Sequence, residues 1–280
     1  MSNKDIAYDK DDANYKKIKF HIPLLSNAGI TTTISTDDDN YDYLQGDLSI
    51  PYSSAAAAAA DLKSLVIFAH GSSSSRKSIR NRYVSHILNN NGFATLLTDL
   101  LTTNEVNSDT KNQKIMDKDR EEYHGTLNKF NIHLLSGRLT TITKWVIENI
   151  SEVKGLPIGY FGRSTGVAAA IESAVDNEMS NLNSPSHIIY AIVSRGGRPD
   201  LADSSALKNL KAATLLIVGE KDSKETIELN RQALQQLTNS KSKEMMVIPE
   251  ASHLFDNNES MIEEVANITS EWFSKNIGHE

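Results

Sequence analysis

The 280-residue sequence contains no cysteine, which excludes disulfide bonds, thiolate metal sites and a cysteine nucleophile. It has no apolar run approaching the roughly 18 residues of a membrane-spanning helix. Its N-terminus lacks the apolar segment and small-residue cleavage site of a secretory signal peptide. Its 29 lysines and arginines are outnumbered by 36 aspartates and glutamates, and the net charge of −7 makes nucleic acids and anionic membranes poor partners. We therefore expect a cytoplasmic protein, monomeric or homodimeric, that acts on a small molecule.

Short apolar runs alternate with amphipathic stretches beyond residue 60. This alternation is typical of βαβ units, in which helices cover both faces of a mainly parallel sheet. Two earlier strands, at 16–22 and 41–50, are predicted to form an antiparallel pair at the N-terminal edge of that sheet. The predicted fold class is therefore α/β. The strands predicted in the repeating part are 65–69, 93–97, 157–161, 188–193, 214–218 and 245–248.

One domain is predicted from residue 15 to residue 280, preceded by a flexible tail at 1–14. Six consecutive alanines at 55–60 fall between predicted strands and are interpreted as a low-complexity connector. The segment 102–129 is polar and shows no clear period. Because it is longer than most loops, we interpret it as a lid-like excursion or a disordered insertion.

The segment Gly162-Arg163-Ser164-Thr165-Gly166 has the G-x-S-x-G form of a nucleophile elbow. In such an elbow the serine lies on a strained turn from a strand into a helix, and the flanking glycines lie too close to neighbours for a Cβ. The context strengthens this short pattern, because an apolar strand at 156–161 leads into it and small residues at 167–171 lead out of it. Ser164 is therefore the predicted nucleophile, in preference to a buried serine in a plain turn.

Chain order selects the general base and the acid. In hydrolases built on a nucleophile elbow, the acid follows the serine and the histidine comes last. Five of the eight histidines precede Ser164, and of the other three only His253 lies in a loop between the last predicted strand and the last predicted helix. Such loops lie at the carboxyl edge of the sheet, where open α/β folds build their sites. Asp222, in the turn after the strand at 214–218, is predicted to accept the Nδ1–H of His253, with Glu220 as the alternative acid.

The oxyanion of an acyl-transfer intermediate needs preorganised N–H donors. The backbone N–H of Thr165, the residue after the nucleophile, is predicted to be one of them. The second is predicted in the loop after the first parallel strand, with the N–H of Ser72 preferred over that of Ser73. His70, which opens this loop, is interpreted as a structural residue.

Arginines are predicted near the same edge of the sheet. Arg195 and Arg198 follow the strand at 188–193, where they could bind a substrate carboxylate in bidentate fashion. The alternative is that they pair with local acids such as Asp200 and hold the loop. Arg163, inside the elbow, is a further candidate for substrate binding. We assign no metal site and expect no cofactor.

Six segments carry a resemblance to a known family: His70-Gly71-Ser72-Ser73, Asn81-Arg82-Tyr83, 159–166 (GYFGRSTG), 194–201 (SRGGRPDL), 230–234 (NRQAL) and His253-Leu254-Phe255. Together they resemble the dienelactone hydrolase-like branch of the α/β-hydrolases, over roughly residues 40 to 276. The resemblance implies the α/β-hydrolase fold and assigns Ser164, Asp222 and His253 to the family's nucleophile, acid and base. The matching subgroup consists of small hydrolases that are sometimes fused to a phosphoribosyltransferase domain, and no such domain is recognisable in this sequence.

Two features depart from the family pattern. Dienelactone hydrolase itself uses a cysteine nucleophile, which this chain lacks, so the lactone substrate does not carry over. Arg163 stands where small residues are usual, which would narrow or charge the pocket.

The sequence therefore predicts a serine hydrolase that cleaves a small carboxylic ester through an acyl-enzyme. A thioesterase, a lactonase or an acyltransferase would use the same residues, and the sequence does not separate them. A non-catalytic binding protein on the same fold is the alternative from another class. The complete set of three residues in the expected order argues against it.

Overall fold

The computed structural model describes residues 15–23, 43–51, 62–118, 126–180, 189–256 and 259–278. The predicted tail at 1–14 and the alanine connector at 55–60 lie outside the described residues, so both stay predictions.

A sheet of eight strands forms the centre of the protein, in the order β1-β2-β4-β3-β5-β6-β7-β8. β2 runs antiparallel to both β1 and β4, and the other neighbouring strands pair in parallel. The predicted α/β class, with a mainly parallel sheet and an antiparallel N-terminal edge, is confirmed. The strands are β1 (Tyr15–Pro23), β2 (Tyr43–Pro51), β3 (Leu65–Ala69), β4 (Ala94–Thr98), β5 (Ile158–Ser164), β6 (Ile189–Gly197), β7 (Ala213–Gly219) and β8 (Lys243–Ile248).

Helices cover both faces of this sheet. The α-helices in the described ranges are α1 (Ile79–Asn90), α2 (Thr103–Lys118), α3 (Ile132–Asn149), α4 (Thr165–Ser180), α5 (Ser204–Asn209), α6 (Lys224–Gln236) and α7 (Glu259–Asn276). α1 packs against α7 on one face, whereas α3 packs against α4 on the other, together with apolar residues of α5 and α6. None of the helices described here combines the length and the apolar character that crossing a bilayer requires.

The sheet divides the hydrophobic core into two clusters. In β3 every residue is buried, with Leu65 and Ile67 facing the α3 and α4 side and Val66 and Phe68 facing the α1 and α7 side. This alternation follows from the two-residue period of a strand, and burial on both faces explains why the parallel strands read as continuous apolar runs.

Of the two interpretations of 102–129, a disordered insertion is wrong for its first part, because residues 103–118 form α2. The lid-like excursion stays a prediction. Only three of the sixteen residues of this helix are apolar, so no amphipathic period marks it in the sequence. Its start is fixed by a capping box: the Thr102 N–H donates to the Glu105 carboxylate, and the Glu105 N–H donates to the Thr102 hydroxyl. The T-x-x-E spacing is the sequence signal that could have revealed the helix.

Phe273 connects α7 to the sheet. Its side chain has no exposed surface, and its ring packs against Phe93 and Tyr190 at centroid distances of 6.2 and 6.0 Å. A Cβ added to Gly159 of β5 would lie 2.6 Å from the Phe273 ring, so the glycine makes room for it.

We predict that Phe273→Ala lowers the free energy of unfolding by about 3–5 kcal/mol, because it removes a fully buried ring and leaves a cavity between α7 and β5. Urea denaturation measures the change. Phe130→Ala is the matched control, since that ring is 49% exposed and its removal should change the value by less than about 1 kcal/mol. Equal effects of the two substitutions would contradict the packing described here.

Candidate active site

The Ser164 turn joins a strand directly to a helix. β5 ends at Ser164 and α4 begins at Thr165, so no loop residue separates them. Ser164 has a φ of 49°, in the left-handed region that side chains other than glycine rarely adopt. The two flanking positions have no room for a side chain, as the motif predicts. A Cβ on Gly162 would lie 2.8 Å from the Val167 Cα, and one on Gly166 would lie 2.2 Å from a backbone oxygen of β3. This is the geometry of a nucleophile elbow.

His253 and Asp222 are hydrogen-bonded to each other. His253, in the loop after β8, has its Nδ1 atom 2.7 Å from the Asp222 Oδ2 atom in the turn after β7. The Asp222 carboxylate is 5% exposed, and its other oxygen accepts the N–H of Ser223 at 2.7 Å, which fixes its orientation. The rival carboxylate, Glu220, instead accepts the backbone N–H of Glu250. Of the two candidate acids, Asp222 is therefore the one that contacts the histidine.

The end of β6 lies between this pair and Ser164. Gly197 is the register partner of Ser164, and the Ser164 carbonyl accepts the N–H of Arg198 at 3.1 Å. A Cβ on the neighbouring Gly196 would lie 3.8 Å from the His253 Cε1 atom. Within the described residues no hydrogen bond joins the Ser164 hydroxyl to the His253 ring. In enzymes without bound substrate this contact is often long and shortens in the substrate complex.

His70 holds the loop that follows β3. Its buried ring bonds through Nδ1 to the Gly71 carbonyl at 2.9 Å, and its Nε2 atom accepts the N–H of Leu100 at 2.9 Å. The ring is therefore the neutral tautomer with its proton on Nδ1. Burial lowers the pKa of His70, which agrees with a neutral ring. The interpretation of His70 as a structural residue fits these contacts.

The backbone around Ser72 is oriented by the same contacts. The Gly71 carbonyl accepts from His70 and from the N–H of Ser74, and in a planar trans peptide the Ser72 N–H points the opposite way. The loop is pressed against the nucleophile, because a Cβ on Gly71 would lie 2.8 Å from the Ser164 Cβ. Thr165 opens α4, so its N–H has no acceptor within the helix. Both N–H groups proposed for the oxyanion thus adjoin the Ser164 turn.

The three candidate substrate-binding arginines differ in their surroundings. Arg198 makes a two-pronged contact with Asp200, with Nε–Oδ1 and Nη2–Oδ2 distances of 2.8 and 2.7 Å, and this hydrogen-bonded pairing raises the pKa of Arg198. It therefore has the contact that the loop-holding alternative requires. Arg195 is 1% exposed and donates through Nη2 to the Asn81 side chain. Arg163 is 8% exposed and lines a cavity.

This cavity has a volume of about 1220 Å³ and lies beside the Ser164 turn. Ser164 and His253 are not among its lining residues, but the neighbours of both are. α2 contributes Val106, Asp109 and other residues to one wall. These lining residues were not predicted from the sequence, because the helix that carries them was not predicted. The other walls include the His70–Ser75 loop, the start of α1, Arg163, Thr165 and residues 254–256, together with Leu101, Lys129, Leu135, Glu259 and Ile262.

One group of side chains in the described ranges could hold a metal ion. His133, Glu172 and Asp203 each offer a ligand atom within 4.8 Å of the others. Glu172 is nearly buried, and burial raises the pKa of its carboxyl group, while the His133 Nδ1 atom lies 3.1 Å from it. The group lies among α3, α4 and α5, on the opposite face of the sheet from α1 and α7. It is separate from the Ser164 turn.

We predict that His70→Gln weakens the pH dependence of stability below pH 6.5. Burial lowers the pKa of His70, while its bond to Gly71 and the charge of Asp99 oppose the shift. Near and below pH 6.5 the unfolded chain therefore binds more protons at His70 than the folded protein does. The contribution of His70 to the free energy of unfolding is fully present above pH 6.5 and is lost as the pH falls towards the folded-state pKa. The contribution is at most about 1.4 kcal/mol per pH unit.

Urea denaturation of wild type and His70→Gln between about pH 7 and pH 5.5 measures the difference in slope. The exposed His21 supplies the matched control, His21→Gln. A His70→Gln slope equal to that of wild type would show that His70 is not held neutral.

Proteins similar to this chain are found among curated sequences and among solved structures. No family model matches the sequence. It is 42% identical over 211 residues, or 75% of this chain, to proteins of two Mycobacterium tuberculosis strains, each named "Putative phosphoribosyl transferase". The chain spans 41% of the length of these curated relatives.

Solved structures extend the comparison. A dienelactone hydrolase from Anabaena variabilis is 37% identical with a TM-score of 0.69, over 93% of this chain and 99% of that one. Carboxyl esterase 2 from Tuber melanosporum shares the fold at 11% identity and a TM-score of 0.64, over 96% and 89% of the two chains. The predicted resemblance and fold are confirmed: the chain belongs to the dienelactone hydrolase-like α/β-hydrolases.

Proposed function

We propose that this protein hydrolyses carboxylic esters through an acyl-enzyme formed on Ser164, with His253 as general base and Asp222 as the acid that orients it. The observation that carries the proposal is the 2.7 Å contact between Asp222 and His253, beside the strand end that pairs with Ser164. The left-handed backbone of Ser164 adds support, because it is the conformation that exposes a nucleophile at a strand-to-helix turn.

The contact between Asp222 and His253 determines how the proton would move. With Nδ1–H donated to the carboxylate, Nε2 is the unprotonated nitrogen and can take the proton of the Ser164 hydroxyl. The serine oxygen then attacks the ester carbonyl, while Asp222 stabilises the imidazolium that forms. His253 returns the proton to the leaving alcohol, and a water molecule, activated in the same way, releases the acid.

The tetrahedral intermediates would place their negative oxygen between two backbone N–H groups. Thr165 supplies one, at the first turn of α4, where the helix dipole also favours negative charge. Ser72 supplies the other, since His70 and Ser74 hold the preceding carbonyl in the opposite direction. Such donors are worth about 10²–10³ in kcat each, because they are already aimed at the developing charge.

The names of similar proteins bear on this proposal in different ways. The relatives named as esterases, and the dienelactone hydrolase, act on ester bonds by their names, which agrees with an ester substrate here. The phosphoribosyl transferase name belongs to proteins of which this chain spans 41%, and we propose no transferase activity from it. The expected partner is a small-molecule ester.

We predict that Asp222→Asn lowers kcat about 10³- to 10⁴-fold on a short p-nitrophenyl ester, because an amide holds His253 in the wrong tautomer. Glu220→Gln is the matched control, since that carboxylate lies two residues away and contacts the Glu250 backbone instead. Steady-state kinetics compare the two variants with wild type. Equal losses in both variants would remove Asp222 from its role.

A fluorophosphonate probe tests the nucleophile directly. We expect intact-mass spectrometry to find one adduct on wild type, none on Ser164→Ala, and labelling of His253→Ala slowed by several orders of magnitude. Folding of each variant is checked by circular dichroism. If folded wild type forms no adduct, or if Ser164→Ala still forms it, the proposed function is refuted.

A further inference from the structure

Two arginines lie side by side next to the Ser164 turn. Arg163 and Arg195 are register partners on β5 and β6, so their side chains leave the sheet on the same face. That face is covered by α1 and α7, since Phe161 and Val193, two residues earlier in each strand, belong to the cluster there. Among the described residues neither arginine forms an ion pair, and the Arg195 Nε and Nη1 atoms are buried with no acceptor.

This arrangement destabilises the folded protein. Like charges directly opposite each other on neighbouring strands repel, and a buried guanidinium without a partner loses its hydration uncompensated. Burial, followed by the charges of Arg163 and Arg80, lowers the pKa of Arg195 to about 9. Burial and Arg80 also lower the pKa of Arg163. An anion bound beside these groups would offset both penalties.

The charge of the cluster indicates which anion it fits. Arg80 of α1 adds a third guanidinium. Among the described residues, the acid that acts on the cluster is Asp256, which pairs with Arg80 at 3.1 Å. Three cations and one carboxylate leave a local charge of +2, in a chain whose net charge is −7. A dianion neutralises this charge, whereas a carboxylate neutralises half of it.

The cluster also faces the cavity. Arg80, Arg163 and Asp256 line it, and Arg195 lies behind Arg163. The N-terminus of α1 lines the same wall, and its first turn carries no acidic residue, so the helix dipole adds to the attraction for an anion. The other charged residues of the lining are Lys77, Lys114, Lys129, Asp109 and Glu259.

We propose that Arg80 and Arg163, with the charge of Arg195 behind them, bind a phosphate group carried by the ester substrate, so that the enzyme prefers phosphorylated esters to neutral ones. The proposal rests on the ester hydrolysis proposed above. Arg163 and Arg80 contact the phosphate oxygens, because a guanidinium presents paired N–H groups that match them. Arg195 contributes its charge from behind. Since Arg163 immediately precedes Ser164, the phosphate lies on the α1 side of the reacting carbonyl.

Three p-nitrophenyl esters that differ only at the far end of the acyl chain test the preference. They are the esters of hexanoic, adipic and phosphonopentanoic acid, which end in a methyl group, a carboxylate and a phosphonate. At about pH 8 the phosphonate carries more negative charge than the carboxylate, because its second acid group is partly ionised at that pH. We expect kcat/KM for the phosphonate to exceed that for the methyl ester about tenfold or more, mainly through KM, with the carboxylate between them.

Arg163→Gln should lower the phosphonate-to-methyl ratio of kcat/KM about 10- to 100-fold, the loss expected for a charge-assisted contact. Arg163→Lys keeps the charge but not the paired N–H groups, so it should restore part of the ratio. Arg80→Gln tests the same prediction if Arg163 variants do not fold. Arg231→Gln, on the exposed surface of α6, is the matched control that should leave the ratio unchanged.

Calorimetric titration with methylphosphonate measures anion binding without turnover. Hydrolysis of all three esters at similar kcat/KM would overturn the phosphate site and leave the proposed function intact. A carboxylate preferred over the phosphonate would overturn the assignment of a dianion. Binding of methylphosphonate that Arg163→Gln abolishes, on a protein that hydrolyses none of the esters, would support the arginine site and refute the proposed function.

Discussion

The contact between the Ser164 turn and the loop after β3 is the constraint on which the site depends. At this point two backbones approach so closely that Gly166 and Gly71 cannot carry a side chain without overlap. The contact holds the Ser164 turn and the start of α4 against the same loop in which His70 and Ser74, bonded to the Gly71 carbonyl, orient the Ser72 N–H.

Two carboxylates in the turn after β7 contact the loop that carries His253. Glu220 accepts the backbone N–H of Glu250, where the loop leaves β8, and Asp222 accepts from the His253 ring three residues later. The backbone at Glu250 and at Phe255 is left-handed, so the loop bends sharply on both sides of the histidine. The turn after β7 thus helps to position the ring, together with the loop after β8.

The sheet could be predicted from the sequence because parallel strands are buried on both faces and read as unbroken apolar runs. The Ser164, Asp222 and His253 positions could be named because a short motif and the chain order point to them. α2 was missed, since a polar helix held by a capping box at Thr102 has no apolar period. The sequence alone does not show that Arg163 lies opposite Arg195, because this pairing depends on the register of β5 and β6.

The contrast between the acidic chain and the positive cavity has a kinetic consequence. The net charge of −7 repels a negatively charged molecule at long range, whereas Arg80 and Arg163 attract it at the cavity. Dissolved salt screens the long-range repulsion over about 10 Å at 0.1 M, but it reaches the buried groups much less. For the phosphorylated ester proposed above, moderate ionic strength should therefore speed the encounter, whereas salt slows association in proteins that attract their ligands at long range.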